Sequence, residues 1–180
     1  MKYIKEHIDE KFSEESDPIY DLGIGKKHKI IQWINYINTT RRQNYDNLIK
    51  HFRINPNGTI DVGINYKTTY TKQYIANNIA IVQPSLIIRG NIITELPDFI
   101  KFNVCYGDCM LNVSKLKNLK GVPRIIYGSF CCNYNHDLKS LEFMPKIVYG
   151  NVYMYGCGTK FTSQEIRNRC KVYGNVETKL

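Results

Sequence analysis

Residues 123–135 read PRIIYGSFCCNYN and residues 145–157 read PKIVYGNVYMYGC, and the two stretches superimpose position by position. Pro123 to Pro145 is 22 residues, as is Gly128 to Gly150, a period within the leucine-rich-repeat range. An upstream stretch, PDFIKFNVCYGDC from Pro97, fits the same frame if the 26 residues to Pro123 include a four-residue insertion, placed between Cys109 and Leu116. A downstream one, CKVYGNV, fits with Cys170 at the proline position. Self-similarity at this period predicts stacked turns of chain, because a single turn cannot bury its own apolar face.

Inside each turn the pattern is apolar, any, apolar, then Asn or Cys at a corner: Val104/Tyr106/Cys109, Phe130/Cys132/Asn135 and Val152/Met154/Cys157. An earlier copy, Leu86/Ile88/Asn91, opens LIIRGNIITELP. Alternation with period two puts the first two positions on the buried side of a short strand. The corner residue then satisfies amides that the turning chain would leave unpaired. Leu116/Leu119/Val122 and Leu138/Leu141/Met144 supply the other half of the core. A parallel sheet is expected along one side. Gly128, Gly150 and Gly174 recur at one place, where the chain needs positive φ or close backbone approach.

Phe161 to Lys171 breaks the pattern, and Thr162 with Glu165 has capping-box spacing, which predicts a short closing helix before an edge strand over Val172 to Val176. The N-terminal third reads as helical. Tyr3, Ile4, Ile8 and Phe12 share one helical face, Pro18, Gly23 and Gly25 act as stops, and further helices are expected over His28–Ile37 and Asn44–Phe52. Asn55-Pro56-Asn57-Gly58 then turns into a strand over Thr59–Tyr66. The fold class is therefore α+β, a short leucine-rich-repeat-like β-solenoid with a small helical N-terminal cap and a short C-terminal capping helix. Residues 1–53 form the helical region and residues 54–180 the solenoid, whose cap spans 160–180.

EKFSEESDPIYDLGIG near the start, NPNGTIDVG in the middle and repeats such as LKSLEFMPKIVYGNVYMYGC together resemble a group of proteins of tailed bacteriophages from gut and related bacteria. Those proteins carry LTSLEGCP-type repeats followed by a VGGDFYCS-type strand. This chain departs from them in having few repeats and Phe143-Met144 where Gly-Cys is usual. The resemblance implies the fold and a viral origin, and supplies no activity.

The chain has 180 residues, 43% of them hydrophobic, enough for a real core in one domain, or in one domain with a small N-terminal attachment. Met1 to Phe12 lacks an apolar signal region, and nothing approaches a membrane-spanning apolar run. These features point to a soluble protein in a reducing compartment, which on the viral reading is the cytoplasm of an infected bacterial host. The net charge is +9. Residues 1–52 hold nine basic and eight acidic side chains, whereas the remainder holds sixteen and eight, so the excess lies on the repeats. A basic surface attracts polyanions or an acidic protein.

Six cysteines all follow residue 100, but the repeat frame accounts for most of them. Cys109 and Cys157 fall at corners, Cys132 in the core and Cys170 at the proline position. Only Cys105 and Cys131 are expected outward, on adjacent turns about 5 Å apart. Four converging zinc ligands are not in view, and neither a metal nor a cofactor is expected. His136-Asp137 reads as a solvated turn. Gly23-Ile24-Gly25-Lys26-Lys27 lacks the spacing of a nucleotide fingerprint and reads as a loop entering a basic helix start.

The candidate site residues are instead columns. Arg124, Lys146 and Lys171 fall at one place in successive turns, Lys117 with Lys139 and Lys115 with Lys120 broaden the ridge, and Tyr127, Tyr149 and Tyr173 form a second column. Tyr153, Asn103, Ser129 and Asn151 are expected on the exposed sheet face. Tyrosine and arginine favour interfaces, although a repeat template produces such columns without selection for binding. The expected function is non-enzymatic: engagement of a host protein or ribonucleoprotein complex, with inhibition of a host defence system as the phage-derived extension. The alternatives are direct nucleic acid binding, with tyrosines stacking on bases, and a structural virion component.

Overall fold

The computed structural model describes residues 24–39, 48–49, 51–63, 85–90, 93–112 and 115–178. The helix expected over residues 3–12 lies outside them, as do Ile64 and Asn91.

Each turn of the solenoid contributes two short strands, one to each of two sheets. Sheet one runs β1 (Leu48–Ile49), β4 (Leu86–Arg89), β6 (Cys109–Asn112), β8 (Phe130–Cys131), β10 (Val152–Tyr153) and β12 (Val176–Glu177). Sheet two runs β2 (Phe52–Ile54), β3 (Ile60–Val62), β5 (Phe102–Cys105), β7 (Ile125–Ile126), β9 (Ile147–Val148) and β11 (Lys171–Val172). Among the described residues pairing between turns is parallel, except that β1 and β2, at the N-terminal end, pair antiparallel with β4 and β3. The single sheet expected from the repeats is therefore two, meeting at the Tyr-Gly corner. A third side, without strands among the described residues, carries Leu116/Leu119 and Leu138/Leu141 inward, all buried.

The register differs from the sequence reading in one turn. Cys109, not Val104, pairs with Phe130, and Val104 pairs with Ile125 in the other sheet. The insertion is not after Cys109 either. Lys117 N–H bonds Thr94 O, a 23-residue step, whereas Val104 to Ile125 is a 21-residue step, so two extra residues sit between Leu96 and Phe102. Pro97 lies in that stretch, within a turn whose Ile100 N–H to Pro97 O bond matches Val122 N–H to Leu119 O in the next repeat, and is not the counterpart of Pro123.

Glycine fixes the corner because the turns touch there. Gly128 N–H bonds Gly107 O and Gly150 N–H bonds Gly128 O, both at 3.0 Å, and a Cβ on Gly150 would lie 2.7 Å from backbone atoms of Gly128. Close approach, not positive φ, is what the position demands. The next residue locks the stack: Asp108 N–H donates to Ser85 Oγ (3.2 Å), Ser129 N–H to Asp108 Oδ1 (2.7 Å), Asn151 N–H to Ser129 Oγ (3.1 Å) and Asn175 N–H to Asn151 Oδ1 (2.9 Å). Two corners are held against local preference. Tyr134 (φ 59°) and Phe143 (φ 64°) are left-handed, a conformation that costs a bulky residue about 1–3 kcal/mol.

Helix α1 (Ile24–Thr39) starts earlier than the expected His28 and contains Gly25, so Gly25 is no stop. Ile30, Ile34 and Ile37 are fully buried, and Trp33 packs on Phe102 with ring centroids 6.5 Å apart. The helix expected over Asn44–Phe52 is contradicted where it is described: Leu48–Ile49 and Phe52 are strand. Apolar residues at helical spacing there serve sheet edges, as Ile49 shows by being fully buried against β4. At the other end α2 (Ser163–Arg169) has the expected capping box of Thr162 and Glu165. No described helix is long and apolar enough to cross a membrane.

Candidate binding face

Sheet two turns an unusual surface outward, built from three columns set by the strand period. The first is aromatic. The Tyr-Gly corner drives each tyrosine out over the one before it, and Tyr106, Tyr127, Tyr149 and Tyr173 stack with centroids 5.3, 4.9 and 5.0 Å apart and interplanar angles of 10°, 5° and 3°. The strand spacing of about 4.8 Å imposes that separation. Tyr127, Tyr149 and Tyr173 remain 40%, 43% and 57% exposed. The sequence reading put Tyr106 at a buried strand position; the structure puts it half-buried at the corner, in the tyrosine column, and Tyr106-Gly107, the same dipeptide, was the available signal. Inner ring faces cover one another, so this column offers edges and hydroxyls and leaves no inner face for a base.

The middle column is Val104, Ile125, Ile147 and Lys171, aligned by register and half-buried except for the exposed lysine. This corrects the expected place of Lys171. One residue fewer separates Cys170 from its Tyr-Gly corner than separates Pro145 from its own, so Lys171 aligns with Ile147 instead of Lys146. Its ammonium lies 4.9 Å from the Tyr173 ring centroid, and hydrogen bonding to Tyr173 raises its pKa.

The third column is Arg124 and Lys146, both exposed, and each precedes its tyrosine by three residues, about 10 Å of extended chain. They border an open groove of about 700 Å³. Lys101, Lys120 and Arg169 also line it, against the carboxylates of Asp98 and Glu142. Lys120 is taken by Asp98 at 2.6 Å, which lowers the Asp98 pKa and raises that of Lys120. Among the described residues no carboxylate pairs with Arg124 or Lys146. Lys115, Lys117 and Lys139 are exposed on the strandless third side and do not line the groove.

Other predicted face residues lie elsewhere. Tyr153 sits on sheet one, half-buried between Cys131 and Glu177 in register, and its hydroxyl accepts from Asn151 Nδ2 at 2.8 Å. Ser129 and Asn151 spend their side-chain oxygens on the corner ladder. Asn103 donates to the buried Asp61 carboxylate, which also holds Arg53.

The thiols are also redistributed. Cys105 is fully buried in sheet two, whereas Cys131 is half-buried in sheet one, so the expected outward pair does not exist. The register explains this: Cys105 pairs with Ile126, a core position. Burial pushes the thiols of Cys105, Cys131 and Cys170 up to about 11, and raises those of Cys109, Cys132 and Cys157. Such thiols stay protonated near neutral pH and are poor nucleophiles. Among the described residues no group of three or more His, Cys, Asp or Glu is placed to hold a metal ion. The face is chemically equipped for contact: cations at one border, aliphatic carbon in the middle, phenolic edges at the other. The chain matches no protein-family model, no curated protein and no solved structure.

Proposed function

We propose that this chain is a non-enzymatic binding module that holds an acidic protein on the outer face of sheet two. One observation carries the reading: Arg124 and Lys146, which no carboxylate pairs among the described residues, run parallel to the exposed tyrosine ladder with the Val104/Ile125/Ile147 strip between them. Protein interfaces combine an apolar centre with aromatic and arginine contacts and a polar rim. A phosphate backbone gains nothing from the aliphatic strip, and the inner tyrosines have no free face for bases. Both points favour a protein over nucleic acid. The resemblance to phage proteins supplies a setting: the partner would be a host protein, or the protein part of a ribonucleoprotein complex, met in the cytoplasm of an infected bacterium, where binding blunts a defence system.

The test is affinity capture from bacterial lysate with wild type and with Arg124→Glu/Lys146→Glu. Acidic proteins captured by the wild type should be absent with the double variant. Capture of the same set by both removes the face from consideration. Generic oligonucleotides provide the second arm. Tight binding that weakens steeply with salt would replace this reading by the nucleic acid one.

A further inference from the structure

The groove beside Arg124 and Lys146 contains an anomaly in the repeat. LKNLKGVPR at residues 116–124 aligns with LKSLEFMPK at residues 138–146, which sets Gly121 against Phe143. Both are left-handed, at φ 86° and 64°. Glycine is the residue at home there, and a bulky aromatic is an outlier. The strain secures no aromatic contact among the described residues. Phe143 is 53% exposed, and among the described residues no aromatic ring packs on it. Tyr134 shows the contrast: it is equally left-handed, but its ring meets Tyr155 edge-on at 5.4 Å and lies over Gly156. Tyr134 is strained for the sake of the fold. Phe143 is strained and points its ring at solvent on the wall of a cationic groove.

We propose that this groove is a docking site for an extended acidic segment of a protein partner, with Phe143 as its apolar anchor. Carboxylates of the segment pair with Arg124, Lys146 and Arg169, and one apolar side chain of the segment covers the Phe143 ring. Three features fit this occupant. The cations outnumber the carboxylates once Lys120 is committed to Asp98. The groove is open, which suits a stretch of chain better than an enclosed small ligand. It is also continuous with the sheet-two face through the two cations they share. Backbone strain held at an exposed contact residue is a known mark of a binding position. The inference rests on the proposed protein-binding role and refines it.

The experiment uses fluorescence anisotropy with three probes: a nonapeptide of glutamates with a central phenylalanine, the same peptide with alanine at the centre, and a single-stranded DNA of equal charge. Phe143→Gly places the repeat's own residue at the corner, so the fold should be retained with an unchanged or higher Tm. Phe143→Asn, also tolerant of left-handed backbone, guards against an idiosyncratic failure of the first variant. Affinity for the phenylalanine peptide should fall about ten-fold in both, the size of a single anchor contact, to the level of the alanine peptide. Affinity unchanged within a factor of two in either folded variant overturns the proposal, as does preferential binding of the DNA. Lysate capture with Phe143→Gly separates the two levels. If Phe143→Gly retains every protein that Arg124→Glu/Lys146→Glu loses, the groove anchor is wrong and the face stands; if neither variant loses any, both fail.

Discussion

Asn135 is fully buried, and its side chain closes the turn from the inside. Its Nδ2 donates to Leu111 O at 2.8 Å, and its Oδ1 accepts from Leu116 N–H at 3.2 Å. Asn135→Leu keeps the volume and strands both backbone groups, each worth about 1–3 kcal/mol when buried unpaired. Urea unfolding should show a lower midpoint with an unchanged m-value; an unaltered midpoint would mean that water replaces the amide. Two glycines make an opposing pair. Gly150→Ala drives a methyl into Gly128 backbone and should destabilise by about 1–3 kcal/mol, whereas Gly25→Ala meets nothing within 4 Å and should be neutral or stabilising by up to about 0.5 kcal/mol. Sequence alone singled out Asn135 as a corner residue and the 128/150 glycines as a tight place. It could not show that Ser129 and Asn151 accept from backbone amides of the next turn, because a serine or asparagine beside a strand reads alike whether it faces water or an amide.

At the scale of elements, α2 does more than end the chain's repeats. Arg167 donates from Nη1 to Val172 O and from Nη2 to Gly174 O, both at 2.9 Å, and Ser163 Oγ donates to Val176 O at 3.3 Å. These carbonyls belong to the last turn, whose open edge would otherwise be a template for another chain. Arg167→Ala should therefore promote end-to-end association, seen as a sedimentation coefficient that rises with protein concentration; a strictly monomeric variant would assign the guarding to helix bulk alone. The capping box adds a pH dependence. Hydrogen bonds from Thr162, its backbone first, hold the Glu165 pKa below the usual glutamate value. A depressed carboxylate stabilises fully above its unfolded pKa and loses that contribution as pH falls through the folded value. Hydrogen exchange in residues 163–169 should accelerate on acidification below the ordinary glutamate range, and not in Glu165→Gln. The closing helix and the parallel stacking were legible because capping and period are local signals. The second sheet was not, since strands of two residues carry no alternation to read. Anchoring the frame on Pro97 instead of Tyr106-Gly107 displaced Cys105 and Cys109 by one sheet and set the wrong thiol outward.

For the molecule as a whole, charge and burial make separable statements. Exposed cations on the sheet-two face are screened within about 8 Å at physiological salt and about 3 Å at 1 M, so capture of an acidic partner should weaken as salt rises while the fold is unaffected. The six thiols should react slowly with a neutral-pH disulfide reagent in the folded protein and all at once on unfolding; rapid reaction of Cys105, Cys109 or Cys132 would contradict their burial. The basic excess beyond residue 52 was visible in composition, but that Arg124 and Lys146 border the sheet-two face while Lys115, Lys117 and Lys139 lie on the strandless side required knowing where each falls in its turn. A last consequence follows from Trp33 against Phe102. The chain has a single tryptophan, and it sits where α1 meets the first complete turn, whereas its tyrosine stack runs on towards the C-terminal end. Indole emission thus watches the α1 junction, while tyrosine near-ultraviolet dichroism also reports the coils, which hold seven of the chain's fourteen tyrosines at or beyond residue 106. If the helical lid lifts before the coils come apart, the two optical signals will part company along a denaturation curve, giving the protein a built-in means of timing its own disassembly.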